Sequence, residues 1–218
     1  TRELEGKGYV FQTKSDSEVL LHLYAAYGPG MLSLLNGMFA FAIYDLKKQE
    51  VFIARDRLGV KPIYYYEKNG IIAFASEIQA LRAMPEINQS LTINTTALWH
   101  YFSLLYIPQP LTIFNEIKVF PSGHYGVIKD GHMTTKEYWR PVIKPADWKN
   151  LDECANTLDE LLDSATALRM QSDVPYGAYL SGGVDSSLIV GKMAAHSSTP
   201  VKTFTARIRS AELDELYF

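Results

Sequence analysis

Apolar residues recur at three- and four-residue spacing between Ser15 and Tyr27. Val19, Leu20, Leu23, Tyr24 and Tyr27 share one face, which predicts a helix. Ser15 followed three residues later by Glu18 is a capping-box pattern for its start, and Gly28-Pro29-Gly30 ends it. The rhythm then shortens to two. From Met38 to Asp45, Phe39, Phe41 and Ile43 alternate with Ala40, Ala42 and Tyr44. Apolar residues on both faces predict a strand covered on both sides. Strand-like runs follow near Val51–Arg55, Pro62–Tyr66 and Ile71–Ala75, with Asn69-Gly70 as a hairpin turn. Helices are predicted near Ser76–Ala83 and Thr95–Tyr106, and strands over 117–139 with Asp130-Gly131 as their turn. This first part reads as a largely antiparallel sheet with flanking helices.

Arg140 to Asn150 carries two prolines and no periodicity, the signature of a linker. Beyond it Leu151, Cys154, Leu158, Leu161, Leu162, Ala165 and Leu168 predict an amphipathic helix of about five turns. A short apolar strand, Val174–Leu180, runs into Ser181-Gly182-Gly183-Val184-Asp185-Ser186-Ser187, a helix over Ser186–Ala195 and a strand over Val201–Thr205. Strand, glycine turn, helix and strand make a βαβ unit, which implies a parallel sheet. Two domains are expected, 1–140 and 141–218, the first α+β and the second the beginning of an α/β fold.

Composition narrows the function classes. The 218 residues hold 21 Lys and Arg against 24 Asp and Glu, a formal charge of −3. That balance argues against nucleic acid bound through bulk positive charge. With 47% hydrophobic residues there is material for a core, and no apolar run approaches the ~20 residues of a membrane span. The single Cys154 makes neither an internal disulfide nor a cysteine-rich metal site. A soluble, cytoplasmic protein with no membrane partner is expected. The chain starts at Thr1-Arg2-Glu3 without Met and stops at Leu216-Tyr217-Phe218, from which a piece of a longer protein is expected.

The glycine turn carries the sharpest chemistry. Gly182 and Gly183 allow a tight turn that brings backbone N–H groups to an anion. The helix start that follows adds unpaired donors and partial positive charge. Ser181, Ser186 and Ser187 offer hydroxyls to phosphate oxygens, and Asp185 suits a Mg²⁺ that bridges phosphates. No lysine stands where a Walker A loop needs one. The plainer alternative is a serine-glycine turn with Asp185 or Ser186 as helix N-cap. His22, His100, His124, His132 and His196 show no metal-ligand spacing. Glu212, Asp214 and Glu215 read as an exposed acidic helix start.

Ser181 to Ser187 resembles the pyrophosphate loop of the ATP-pyrophosphatases, and the longer run DVPYGAYLSGGVDSS resembles the start of the synthetase domain of glutamine-hydrolysing asparagine synthetases. Upstream, GMFAFAIYD, ARDRLGVKPIYYY and FASEIQAL resemble, in the same order, the glutaminase domain of that family; FPSGHYGVI resembles its inter-domain region. The resemblance implies a class II amidotransferase domain, the αββα layers of N-terminal-nucleophile hydrolases, followed by a parallel-sheet synthetase domain. It implies a carbon–nitrogen ligase that takes ammonia from glutamine and makes asparagine from aspartate through a β-aspartyl-AMP intermediate, with ATP and Mg²⁺. Glutamine, aspartate and ATP are then its partners, and a homodimer its candidate assembly.

By the same resemblance, Asp16 in Thr13-Lys14-Ser15-Asp16-Ser17-Glu18-Val19 binds the amino group of glutamine; the bland account is a carboxylate in a helix's first turn. Ser181, Gly182, Gly183, Asp185, Ser186 and Ser187 form the pyrophosphate loop, with Asp185 on the metal, Leu180 near the adenosine and Ala206 at the adenine. Arg207 stands where the family has glycine. Arg55, Asp56 and Gly59 match an architectural block, read as a turn with an ion pair and a glycine. The family's N-terminal cysteine nucleophile is absent, so no catalytic residue is assigned, and Cys154 is read as a core residue. The family's later S-G-E-G-x-D-E loop is absent too, so these residues alone are expected to be inactive. Ring-closing relatives such as β-lactam synthetases and lasso-peptide cyclases are the alternative within the fold, and a non-catalytic binding module the alternative outside it.

Overall fold

The computed structural model describes residues 1–145 and 150–206 of the 218. The chain divides into two compact units, Thr1–Val142 and Ile143–Phe218.

The first unit contains α1 (Arg2–Gly6), α2 (Asp16–Tyr27), a 3₁₀ turn (Gly28–Ser33), β1 (Ala40–Asp45), β2 (Glu50–Arg55), β3 (Tyr64–Lys68), β4 (Ile71–Ala75), α3 (Ile78–Arg82), α4 (Pro85–Asn88), α5 (Thr95–Leu104), β5 (Ile117–Val119), β6 (His124–Lys129) and β7 (His132–Glu137). One sheet has the order β1-β2-β6-β7 and the other β4-β3-β5, every neighbour antiparallel. Both expected hairpin turns form with positive φ: 54° and 74° at Asn69-Gly70, 50° and 76° at Asp130-Gly131.

The period of two sets the layers. On β2, Phe52 and Ala54 point one way and Ile53 the other, and all three are fully buried. Phe52 and Ala54 pack with Tyr24 of α2 and with Met31 and Leu32 of the 3₁₀ turn. Ile53 packs with Ile63, Phe120 and Tyr65 of β3. The next residue, Tyr66, faces away toward Leu81 of α3 and Ile87 of α4. Helix, sheet, sheet and helix therefore stack in the αββα order that the resemblance implies.

The expectation that β1 is covered on both sides is corrected. Phe39, Phe41 and Ile43 pack beneath α2, but β1 is an edge strand; Ala42 is exposed and Tyr44 is 54% exposed. The short helices α1 and α4 have too few residues to show a period.

The second unit contains α6 (Leu151–Arg169), β8 (Gly177–Tyr179), α7 (Val184–His196) and β9 (Lys202–Phe204). β8 and β9 run parallel, in the register Gly177↔Lys202, Ala178↔Thr203 and Tyr179↔Phe204, as a βαβ connection requires. The helix over 151–169 forms, capped by the Asn150 side chain on the Glu153 N–H. Its packing face is not the leucine stripe, however. Lys192 of α7 pairs with Asp159 and Asp163, at 2.7 and 3.6 Å, and His196 with Asp163 at 3.0 Å. Leu151, Leu158, Leu161 and Leu168 stay exposed, whereas Cys154, Leu162 and Ala165 are half-buried. Residues 140–145 of the expected linker form neither helix nor strand; residues 146–149 lie outside the described residues. No helix among the described residues is long and apolar enough to cross a membrane.

Candidate functional site

Asp16 is the first residue of α2. It is exposed and its side chain makes no ion pair or hydrogen bond among the described residues, so its carboxylate is open to a ligand. What precedes it is tightly held. Ser15 caps the helix, its hydroxyl accepting from the Ser17 N–H at 3.2 Å. The reciprocal arm of the capping box does not form. Glu18 instead reaches past Ser15 and accepts from the N–H groups of Gln12 and Thr13, both at 2.7 Å, and from the Thr13 hydroxyl at 2.5 Å. The Gln12 N–H first, then the Thr13 hydroxyl, hold the Glu18 carboxyl well below its usual range, at about 2. Its side chain is 16% exposed, with His22 Nε2 at 3.6 Å. Sequence reading assigned Glu18 to the cap alone; the signal that could have pointed to the turn is the threonine two residues before Ser15.

The glycine loop lies between β8 and α7. The Leu180 N–H donates to the Phe204 carbonyl at 3.0 Å, and the Thr205 hydroxyl donates to the Leu180 carbonyl at 2.6 Å. These bonds, with the parallel pairing, fix the strand end from which the loop departs. Gly177 lets the pair close: a Cβ there would sit 2.7 Å from the Lys202 carbonyl oxygen. Gly182 has φ 88°, open to glycine and costly for other residues.

Gly183 is the N-cap of α7, so neither Asp185 nor Ser186 is. A glycine offers no side-chain acceptor. The caps of α2, α5 and α6, by contrast, each accept a backbone N–H. The first α-helical bond of α7 runs from the Ser187 N–H to the Gly183 carbonyl at 3.0 Å, and the N–H groups of Val184, Asp185 and Ser186 find no acceptor among the described residues. Such a helix start is an anion-binding arrangement. Ser181 and Ser186 bring their hydroxyl oxygens to 3.2 Å of each other across the turn, and Ser186 also donates to the Gly183 carbonyl at 3.0 Å. Asp185 is exposed in the first turn with no ion pair among the described residues. Its carboxylate oxygens are the donor type that suits a hard cation such as Mg²⁺.

The Arg55, Asp56 and Gly59 block is architectural, but its ion pair does not form. Arg55 and Asp56 are 3% and 2% exposed, and each is satisfied mainly by backbone groups. Ala206 is exposed just after β9. Arg207, Glu212, Asp214 and Glu215 lie outside the described residues. Among the described residues no three His, Cys, Asp or Glu side chains gather as a metal site.

Comparison with known proteins adds to this geometry. The glutamine amidotransferase domain family model matches residues 1–139 and the asparagine synthase family model matches residues 157–218. The chain is 37% identical over 215 residues to asparagine synthetase (glutamine-hydrolyzing) 1 of Bacillus subtilis, covering 98% of this chain and 33% of that relative. It is 43% identical over 186 residues to putative asparagine synthetase (glutamine-hydrolyzing) 2 of Methanocaldococcus jannaschii, covering 84% and 36%. With asparagine synthetase B (glutamine-hydrolyzing) of Escherichia coli it shares 36% identity over 191 residues, 84% of this chain and 28% of the relative. The chain spans about a third of the length of the curated relatives it matches.

Proposed function

We propose that this chain, which belongs to the glutamine amidotransferase domain family, is part of a ligase that makes asparagine from aspartate, using ATP and ammonia released from glutamine. Residues 1–140 are its glutaminase region and 141–218 the start of its synthetase region. The observation that carries the reading is the uncapped start of α7 behind the glycine loop, in the segment that matches the asparagine synthase model.

Asp16 holds the ammonium group of glutamine through opposite charge at an exposed helix start. No nucleophile for glutamine hydrolysis is assigned among these residues; Cys154 lies half-buried on α6. At the loop, the N–H groups of Val184, Asp185 and Ser186 and the hydroxyls of Ser181, Ser186 and Ser187 receive the β- and γ-phosphates of ATP. Leu180 and Ala206, at the ends of the two parallel strands, flank the nucleoside. The aspartate side-chain carboxylate attacks the α-phosphorus and pyrophosphate leaves, giving β-aspartyl-AMP. Ammonia then attacks the acyl carbon and expels AMP. Charge builds on the departing pyrophosphate, where the loop's donors are already oriented, so they stabilise the transition state without reorganising. Asp185 would hold Mg²⁺, which supplies further positive charge to the phosphates.

Glutamine, aspartate and ATP are the small-molecule partners of this reading, a homodimer its assembly and the cytosol its location. Feeding the whole protein amide-¹⁵N glutamine with aspartate and ATP tests it. Label in the side-chain amide of asparagine is expected; a product with no ¹⁵N, or hydrolysis of glutamine with no asparagine, overturns it.

A further inference from the structure

We propose that Glu18 is a positioning residue for glutamine, fixing the turn that presents Asp16; this rests on the reading of Asp16 given above. Asp16 has no side-chain partner among the described residues, so its place is set wholly by its backbone. The turn that leads into it has little else to hold it. Residues 10–14 make no backbone–backbone hydrogen bond among the described residues. Glu18 supplies what is missing, accepting from Gln12 and Thr13 as described. The Thr13 hydroxyl in turn accepts from the Ser15 N–H at 3.2 Å, and the Ser15 hydroxyl from the Ser17 N–H. An unbroken chain of hydrogen bonds thus runs Glu18, Thr13, Ser15, Ser17 and straddles Asp16 on both sides. On the same stretch, Phe11 meets the His22 ring edge-on at 4.8 Å, so the turn is seated on α2 one helical step beyond Glu18. Charged acceptors make the stronger hydrogen bonds, and a carboxylate that takes three donors has few other orientations open to it.

Glutamine kinetics of the whole protein test the inference, with variants Asp16→Asn, Glu18→Gln and the two combined. Glu18→Gln keeps the size of the side chain but cannot accept from both N–H groups and the hydroxyl, since one oxygen becomes a donor. It should raise KM for glutamine about tenfold with kcat nearly unchanged, the signature of misplacement rather than lost chemistry. Because Glu18 acts through Asp16, the double variant should have the KM of Asp16→Asn alone. A general weakening of the fold would lower kcat and would add to the effect of Asp16→Asn. If Asp16→Asn raises KM and Glu18→Gln does not, the inference fails while the reading of Asp16 stands. If Asp16→Asn itself leaves KM unchanged, the reading fails and takes the inference with it. Should Glu18→Gln not fold, Thr13→Val breaks the same chain one link away; a raised KM supports the proposal and an unchanged one overturns it.

Discussion

Arg55 and Asp56 are adjacent, oppositely charged and almost fully buried, yet neither is the other's hydrogen-bond partner. The guanidinium donates to the carbonyls of Lys61 at 2.8 Å, Gly59 at 2.7 Å and Phe120 at 2.5 Å, and to Gln109 Oε1 at 3.2 Å. The Asp56 carboxylate accepts from the N–H groups of Leu58, Val60 and Lys61. One loop, residues 56–61, is therefore gripped from both sides by consecutive side chains at the end of β2. Burial pushes the Arg55 pKa down and the nearby Asp56 charge opposes that. Asp56→Ala leaves three backbone donors without their acceptor and a buried cation without its nearest countercharge, and should cost about 3 kcal/mol or more. Urea denaturation of the wild type and variant measures this; a loss below about 1 kcal/mol would contradict the account.

Gly59 sits inside that grip with φ 68°, and a Cβ there would lie 3.0 Å from the Arg55 guanidinium carbon and from Ser122 Cβ. Gly59→Ala meets both a disfavoured backbone conformation and a displaced guanidinium, and should lose about 1–3 kcal/mol. The same denaturation experiment reads it. No loss would mean that the loop relaxes freely, against the fourfold anchoring of Arg55.

Glu18 gives stability a pH dependence of known sign. Its folded pKa is depressed to about 2 from 4.5, so the unfolded chain takes up a proton first as pH falls. Its contribution is fully present above pH 4.5 and is lost as pH falls through 2. Glu18→Gln should therefore lower Tm at neutral pH, and the gap to wild type should close over that acid window. A gap that is constant from neutral pH to pH 2 would contradict the assignment.

At the glycine loop, Ser186→Ala removes a hydroxyl that lies 3.2 Å from the Ser181 oxygen and donates to the Gly183 carbonyl, and it leaves the backbone N–H groups of the helix start in place. In the whole protein, KM for ATP should rise on the order of ten- to a hundredfold, the worth of one hydrogen bond to a charged oxygen. Glutamine hydrolysis measured without ATP should not change. A rise in KM for glutamine instead would separate Ser186 from the nucleotide.

The legible features were the local ones. Asn69-Gly70 and Asp130-Gly131 set positive φ by themselves, and the alternation through β2 and β3 sets which face each residue takes. The order of strand, glycines and helix likewise placed Ser181 to Gly183 between β8 and α7, with Val184 to Ser187 opening the helix. Features that depend on what arrives from elsewhere were not legible. The pattern at Ala42 and Tyr44 is apolar, but only an adjoining layer makes a face buried, and β1 is at the edge. The leucines of α6 predict a helix correctly, whereas Lys192 and His196 decide that Asp159 and Asp163 face α7. Glu18 reads as a cap because cap and turn both need a carboxylate at that spacing; the path of Gln12 and Thr13 decides which donors it takes. Arg55 beside Asp56 reads as an ion pair because the backbone groups that claim them come from Gly59, Lys61 and Phe120.

The central claim is that the aspartate side chain is activated by adenylation at the loop of residues 181–187. It is tested most directly by giving the whole protein aspartate with both side-chain carboxylate oxygens as ¹⁸O, together with ATP and glutamine, and weighing the nucleotide product. One ¹⁸O in the phosphate of AMP, and one retained in asparagine, is the predicted result. Unlabelled AMP, or ADP with the label in inorganic phosphate, would contradict it.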